Sequence, residues 1–174
     1  MIVENTSFVA MSHSVLNHAA RRYAIEYFED NKSYIEKNHN VMKTWQCYAK
    51  DDDLISEMVN SVKVVGERVT NRKYKISSSK FVDYVQGSYC KGHRDSVDQS
   101  NLSIITMIDM SSDLIGGEAY FSRDSTSSYD QKFKMVPGPL YSGDSLLYGY
   151  NLFHGVDEII RGRRLVLITW LLEI

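Results

Sequence analysis

From Ser14 to about His39, apolar residues recur every three to four positions through Val15, Leu16, Ala19, Ala20, Tyr23, Ala24, Tyr27 and Phe28, which predicts an amphipathic helix. A second helix is predicted after Asp51, Asp52 and Asp53, which offer an N-cap and charge suited to a helix N-terminus. Its apolar face runs through Leu54, Ile55, Met58, Val59, Val62 and Val65. Between the two, the apolar stretch from Met42 to Ala49 reads as a strand. From about Lys75 the period drops to two, and about eight short strands are predicted, near 78–85, 88–95, 102–109, 117–122, 131–137, 144–149, 152–157 and 163–172. Turn residues such as Gly116-Gly117 and Pro137-Gly138-Pro139 separate them, and the glycine pair is expected to shape a hairpin. Helices followed by strands predict an α+β protein in which residues 1–74 give helical support to a jelly roll built from 75–174.

Composition narrows the class. With 174 residues, 43% of them hydrophobic and 11% aromatic, the chain can form one domain with a real core. A formal net charge of −2 gives no broad basic surface, so nucleic acid is not an expected partner. No apolar run approaches the ~20 residues of a membrane-spanning helix, and the first residues have neither the basic nor the apolar region of a secretory leader. The expected setting is therefore cytoplasmic, with no membrane. Cys47 and Cys90 are too few for a disulfide framework or a cysteine-rich zinc site. The triple aspartate lacks the spaced ligands of a calcium loop. His13, His18 and His39 stand at no metal spacing and are expected in solvent. The polar run Ser122 to Asp130 reads as a loop.

Candidate chemistry centres on KGHRD. His93 and Asp95 are two positions apart, so an extended backbone sends both side chains to one face, where they can grip one ion. His154, on a different predicted strand, completes a set of two histidines and one carboxylate. Such a facial triad suits Fe(II) and leaves coordination positions open for oxygen chemistry. Cys90 falls on the opposite face from His93 by alternation and is expected to be a packed thiol.

Tyr84 and Gly87 in YVQGSYCKGHRD, His93 and Asp95, Gly116-Gly117-Glu118 with Phe121 in GGEAYF, Gly143 in GDSLLY, His154, and Arg164 with Trp170 in RGRRLVLITW follow one another in order. Over residues 75 to 172 this series resembles the 2-oxoglutarate- and Fe(II)-dependent dioxygenases, in particular their prolyl 4-hydroxylase-like branch. The resemblance implies a cupin-like double-stranded β-helix with Fe(II) on His93, Asp95 and His154 as the catalytic centre, and 2-oxoglutarate and O2 as co-substrates. It makes Arg164 the fork-shaped partner of the distal 2-oxoglutarate carboxylate, a task suited to a guanidinium. It gives Tyr84 a hydrogen bond to the same co-substrate. The implied reaction is hydroxylation of a C–H bond, with a peptidyl proline as leading substrate and a free amino acid, another small molecule or a methylated nucleobase as alternatives. A non-catalytic metal-binding jelly-roll module is the reading of another class, and an intact Arg164 argues against it.

Alternation places Arg164, Val166, Ile168 and Trp170 on the barrel interior, with Arg163, Leu165, Leu167 and Thr169 facing away, Arg163 outward or toward a helix. An arginine inside the barrel is costly without an anionic partner, and a bound dicarboxylate would resolve that cost. Two positions depart from the branch: Met107 where a co-substrate-contacting tyrosine is common, and Glu158 where a proline is frequent. The Ser122–Asp130 loop and the segment between the two helices are expected to border the active-site mouth.

Overall fold

The computed structural model describes residues 8–122 and 141–174. Helix α1, His18–Asn31, starts at Asn17, whose side chain accepts from the Ala20 amide at 2.9 Å. Helix α2, Asp53–Thr70, starts at Asp52, which caps the Ile55 amide at 2.9 Å, and stops at Asn71 in the left-handed region at φ 54°. The Tyr23 hydroxyl donates to the second oxygen of Asp52 at 2.7 Å, tying the cap of α2 to α1.

The first helix is shorter than its predicted span. After Asn31 the chain becomes extended, and strand β2, Ser33–Asn38, pairs with β3, Val41–Tyr48. The helical spacing in fact ends at Phe28. Beyond it, Tyr34 lies opposite Trp45 with ring centroids 5.3 Å apart, a cross-strand aromatic contact that a helix would forfeit. Val15 and Leu16 also lie outside the helix, their amides bonded to the Gly143 carbonyl at 2.7 and 3.2 Å.

The remaining strands are β1, Val9–Ser12; β4, Tyr74–His93; β5, Leu102–Met110; β6, Ile115–Gly116; β7, Ala119–Ser122; β8, Ser145–Gly149; β9, Phe153–Val156; β10, Ile159–Arg161; and β11, Arg164–Glu173. An antiparallel run in the order β1-β8-β5-β11-β4-β3-β2 forms the main sheet. The long β4 joins it to a second layer: its body pairs with β3 and β11, while Cys90 and His93 near its end pair with β9, which in turn pairs with β7. The sheet thereby curls over itself, and β6 with β10 forms a separate two-stranded ribbon.

Several boundaries differ from the sequence-based ones. The predicted strands 78–85 and 88–95 are the single strand β4, which ends at His93, short of Asp95. Where the two were to part, the Ser88 hydroxyl accepts from the Val85 amide at 2.9 Å and donates to the Lys43 carbonyl at 2.6 Å, so the strand continues. Gly116 and Gly117 close no hairpin; they lead from β6, paired with β10, to β7, paired with β9. The first 74 residues are not helical support alone, since β1, β2 and β3 lie in the main sheet. The predicted strand 131–137, the Pro137-Gly138-Pro139 turn and most of the polar run to Asp130 lie outside the described residues.

Alternation along β11 divides the core. Leu165, Leu167 and Leu171 pack outward with Ala24 and Phe28 of α1 and Ile55, Val59 and Val62 of α2. Val166 and Ile168 point inward, toward Val82, Tyr84, Met107, Phe121 and Tyr148. Each fully buried leucine contributes roughly 1.5–3 kcal/mol, so the helices brace the outer face and leave the inner face for a site. Arg163 takes the helix-facing option: its guanidinium lies 3.2 Å from Asp83 and 3.5 Å from Glu29 of α1. Burial lifts the Asp83 carboxyl while Arg163 pulls it down. The α+β jelly roll braced by helices is the observed architecture, and no described helix is long and apolar enough to cross a membrane.

Candidate metal centre

His93, the last residue of β4, stands directly opposite His154 of β9, and the two rings lie 4.4 Å apart between centroids. Asp95 follows two residues past the strand end, with its Oδ1 3.8 Å from His93 Nε2 and 4.0 Å from His154 Nε2. All three ligand atoms fall within 4.8 Å of one another. Both rings are oriented alike: His93 Nδ1 donates to the Lys91 carbonyl at 2.9 Å and His154 Nδ1 to the Leu152 carbonyl at 3.0 Å. A proton held at Nδ1 leaves each Nε2 lone pair free toward the cluster, the arrangement a metal-ligating histidine requires. Burial lowers the His154 pKa to about 4 against the opposing pull of Asp95, so this imidazole is neutral at pH 7.

Asp95 is held by a residue that the sequence reading passed over. Its Oδ2 accepts from the Ser103 hydroxyl at the start of β5, and Ser103 lies 2.9 Å from the Ser100 hydroxyl. With Oδ2 occupied, Oδ1 is left facing the two histidines. The signal was readable: Ser103 is the polar residue in phase with the inward Ile105 and Met107 of β5. Replacing Ser103 by alanine is expected to weaken divalent-metal binding about 10–100-fold, the usual cost of losing an outer partner of a ligand. Titration with Mn(II), followed by electron paramagnetic resonance, measures this; affinity equal to the parent protein would refute the orienting role.

The surroundings are tightly fitted. Phe121 of β7 pairs with His154 on its other side, and the Tyr148 ring lies 4.5 Å from that histidine. At Gly155 a side-chain carbon would come within 2.2 Å of the Tyr120 hydroxyl and 2.7 Å of the Cys90 carbonyl, so only glycine lets β9 press against β4 here. Cys90 does not sit on the face opposite His93, because the register shifts between these two residues and brings its sulfur to 3.8 Å from His93 Nδ1. Burial pushes its thiol up to about 12, which keeps it protonated.

The cluster faces a cavity of about 380 Å³ whose lining includes Tyr84, Phe121, Tyr148, Ile168 and Trp170. Arg164 pairs with Tyr84 across β11 and β4, its guanidinium carbon 5.0 Å from the ring centre, so the arginine stands behind the Tyr84 wall. Arg164 is 5% exposed and its Nε is buried without a hydrogen-bond partner. Among the described residues no carboxylate forms an ion pair with it, although Glu118 acts on it at longer range. Burial accordingly lowers its pKa. Met107 is buried opposite Val166 and offers no hydroxyl, and the exposed Glu158 contributes its carbonyl to the Gly117 amide at 3.2 Å.

Two of the histidines expected in solvent are placed more specifically. His13 Nδ1 meets the buried Asp144 carboxylate at 2.9 Å, and the exposed His39 stands at the rim of the cavity. His18, the first residue of α1, is exposed.

No protein-family model and no curated protein matches the chain by sequence. Solved structures do match it. A 2OG-Fe(II) oxygenase family oxidoreductase from Burkholderia pseudomallei superposes at TM-score 0.71 with 10% identity, covering 94% of this chain and 84% of that one. A Pseudomonas putida prolyl-4-hydroxylase gives TM-score 0.70 at 12% identity, covering 95% and 92%. HygX from Streptomyces hygroscopicus, solved with nickel, 2-oxoglutarate and hygromycin B bound, gives TM-score 0.70 at 11% identity, covering 95% and 83%. At these identities what is shared is the architecture: the chain has the double-stranded β-helix fold of the 2-oxoglutarate- and Fe(II)-dependent oxygenases.

Proposed function

We propose that the protein is a 2-oxoglutarate- and Fe(II)-dependent dioxygenase that hydroxylates a C–H bond, with a peptidyl proline as its leading substrate. The observation that carries this reading is the cluster of His93 Nε2, Asp95 Oδ1 and His154 Nε2 facing a cavity. Two neutral imidazoles and one carboxylate are the donor set of a non-haem Fe(II) site with open positions. Arg164 fits the same reading, because among the described residues its buried guanidinium meets no carboxylate and a bound dicarboxylate would supply one.

When bound, the iron and its co-substrates supply the oxidation: 2-oxoglutarate, O2 and a C–H bond give succinate, CO2 and an alcohol. The chain's own residues hold and exclude. His93, Asp95 and His154 leave a divalent ion with residual positive charge, which favours an anionic chelating co-substrate. Arg164 would take the distal carboxylate through its fork, and Tyr84, lining the cavity against that guanidinium, would orient it. Phe121, Ile168 and Trp170 give the cavity an apolar lining that keeps water from the reacting carbon. No side chain is required to move a proton to or from substrate.

The proline assignment rests on the sequence resemblance and is supported by a prolyl hydroxylase among the structures of like fold. A small molecule is the second reading, favoured by HygX having the same fold with hygromycin B bound. A net charge of −2 argues against a nucleobase in a polynucleotide. We assign the protein to the cytoplasm, in keeping with two free cysteines.

Anaerobic addition of Fe(II) and 2-oxoglutarate followed by O2 tests the reading. Succinate should form, and a proline-containing peptide in the panel should gain one oxygen atom. Succinate with every peptide unchanged would reject proline and keep the oxygenase; no succinate and no Fe(II) binding would reject both.

A further inference from the structure

Two cavities share part of their lining, one at the metal cluster and one reaching past Tyr48 to Tyr27 and Asn31 of α1. The one at the metal cluster is joined by a second of about 430 Å³, walled partly by Ser33, Tyr48 and Asp51, and the two share Asn38, Gln46 and Lys80. All three shared residues are polar, and two of them are preset: Asn38 Nδ2 donates to Gln46 Oε1 at 3.2 Å, and Gln46 Nε2 donates to Thr44 Oγ1 at 2.7 Å.

Lys80 is the exceptional member. Three lysines among the described residues are half-buried, and two of them meet a carboxylate: Lys32 pairs with Glu29, and Lys63 lies 4.0 Å from Glu67. Lys80 meets none among the described residues; its Nζ lies 5.0 Å from the centre of the Tyr48 ring. Among the described residues that line the second cavity the one acidic side chain, Asp51, is paired with Lys50 at 3.3 Å. A half-buried ammonium held over an aromatic ring with no carboxylate partner is poised for an anion arriving from solution.

Position separates this cation from the co-substrate. Lys80, Val82 and Tyr84 alternate on one face of β4, so Lys80 lies four residues from the Tyr84 and Arg164 end, about 13 Å along the strand. One short dicarboxylate cannot engage the metal, Arg164 and Lys80 together. We propose that Lys80 is the specificity residue for substrate, binding a carboxylate on it while the reacting carbon lies toward His93, Asp95 and His154. This rests on the dioxygenase reading and narrows it to carboxylate-bearing substrates, either free acids or peptides that end or branch in one. Gln46 and Asn38 are the neighbouring hydrogen-bonding groups for the same end.

The test uses the whole protein loaded with Mn(II) and saturating 2-oxoglutarate, and reads the paramagnetic broadening of probe protons by nuclear magnetic resonance. The probes are matched pairs: N-acetyl amino acids against their amides, and proline-containing pentapeptides with a free against an amidated C-terminus. The acids should bind roughly ten- to hundredfold more tightly than the amides, as expected for a charge-assisted contact to a half-buried cation. The pair series that responds identifies a free acid or a peptide as the source. Lys80→Met, which keeps the aliphatic stem, should erase the preference, Lys80→Arg should retain most of it, and 2-oxoglutarate broadening should be unchanged in both. Equal binding of acids and amides, or a preference that survives in Lys80→Met, overturns the proposal. Absence of broadening of 2-oxoglutarate itself overturns the dioxygenase reading and this inference with it.

Discussion

Replacing His154 by alanine is expected to lower divalent-metal affinity by more than about 10³-fold and to abolish succinate formation, while leaving the protein folded. The magnitude follows from comparison with an outer partner such as Ser103, whose loss costs about 10–100-fold; a donor atom removed from the ion itself costs more. Position argues the same way, because His154 stands directly opposite His93 in the β4–β9 pairing that brings the two rings together. Its imidazole is neutral at pH 7, so metal entry displaces no proton from it. The fold should lose about 1–3 kcal/mol, since the variant leaves a small void beside Tyr148 and Phe121. Mn(II) titration gives the affinity and thermal unfolding the stability. A variant that bound metal like its parent would show that the cluster is not the metal site.

The two-residue spacing of His93 and Asp95 made the pair readable from sequence, and the distant His154 joined it through the ligand set and the resemblance. Strand alternation stops at His93, where β4 ends short of Asp95, whereas along β11 it fixed the inward set Arg164, Val166 and Ile168. What alternation cannot report is a register shift. The irregularity between Cys90 and His93 moves the thiol to the side where simple counting excludes it. Strands held by pairing were also missed: β2 carries three exposed charged or aromatic residues, Tyr34, Glu36 and Lys37, and becomes a strand through β3, above all through Trp45. The site's supporting contacts are further from the sequence still. Ser103 acts on Asp95 only because the start of β5 is brought beside the end of β4, and Lys80 stands out only once the carboxylates that meet Lys32 and Lys63 are seen in space.

Substituting Arg164 by methionine should raise the stability of the metal-free protein and, in the same molecule, destroy its affinity for 2-oxoglutarate. Stability rises because Arg164 is buried, its Nε has no partner, and burial already opposes its charge. Methionine keeps the unbranched stem against Tyr84 and removes a desolvated cation, a change worth about 1–3 kcal/mol where buried ionic groups are replaced by apolar ones. For a chain of this length that corresponds to a melting temperature higher by roughly 2–10 °C. Affinity falls because the co-substrate's distal carboxylate would lose a two-pronged, charge-assisted partner, which corresponds to a loss of about 30-fold or more. The two effects must then cross: with Mn(II) present, 2-oxoglutarate above its Kd should raise the melting temperature of the parent protein with the logarithm of its concentration and leave the variant where it was. Arg164→Lys, which keeps the charge but not the fork, should bind the co-substrate with intermediate affinity. If methionine instead lowered the melting temperature and spared 2-oxoglutarate binding, Arg164 would be a structural residue, its stacking on Tyr84 outweighing the cost of its burial. The co-substrate carboxylate would then have to be assigned to another cation.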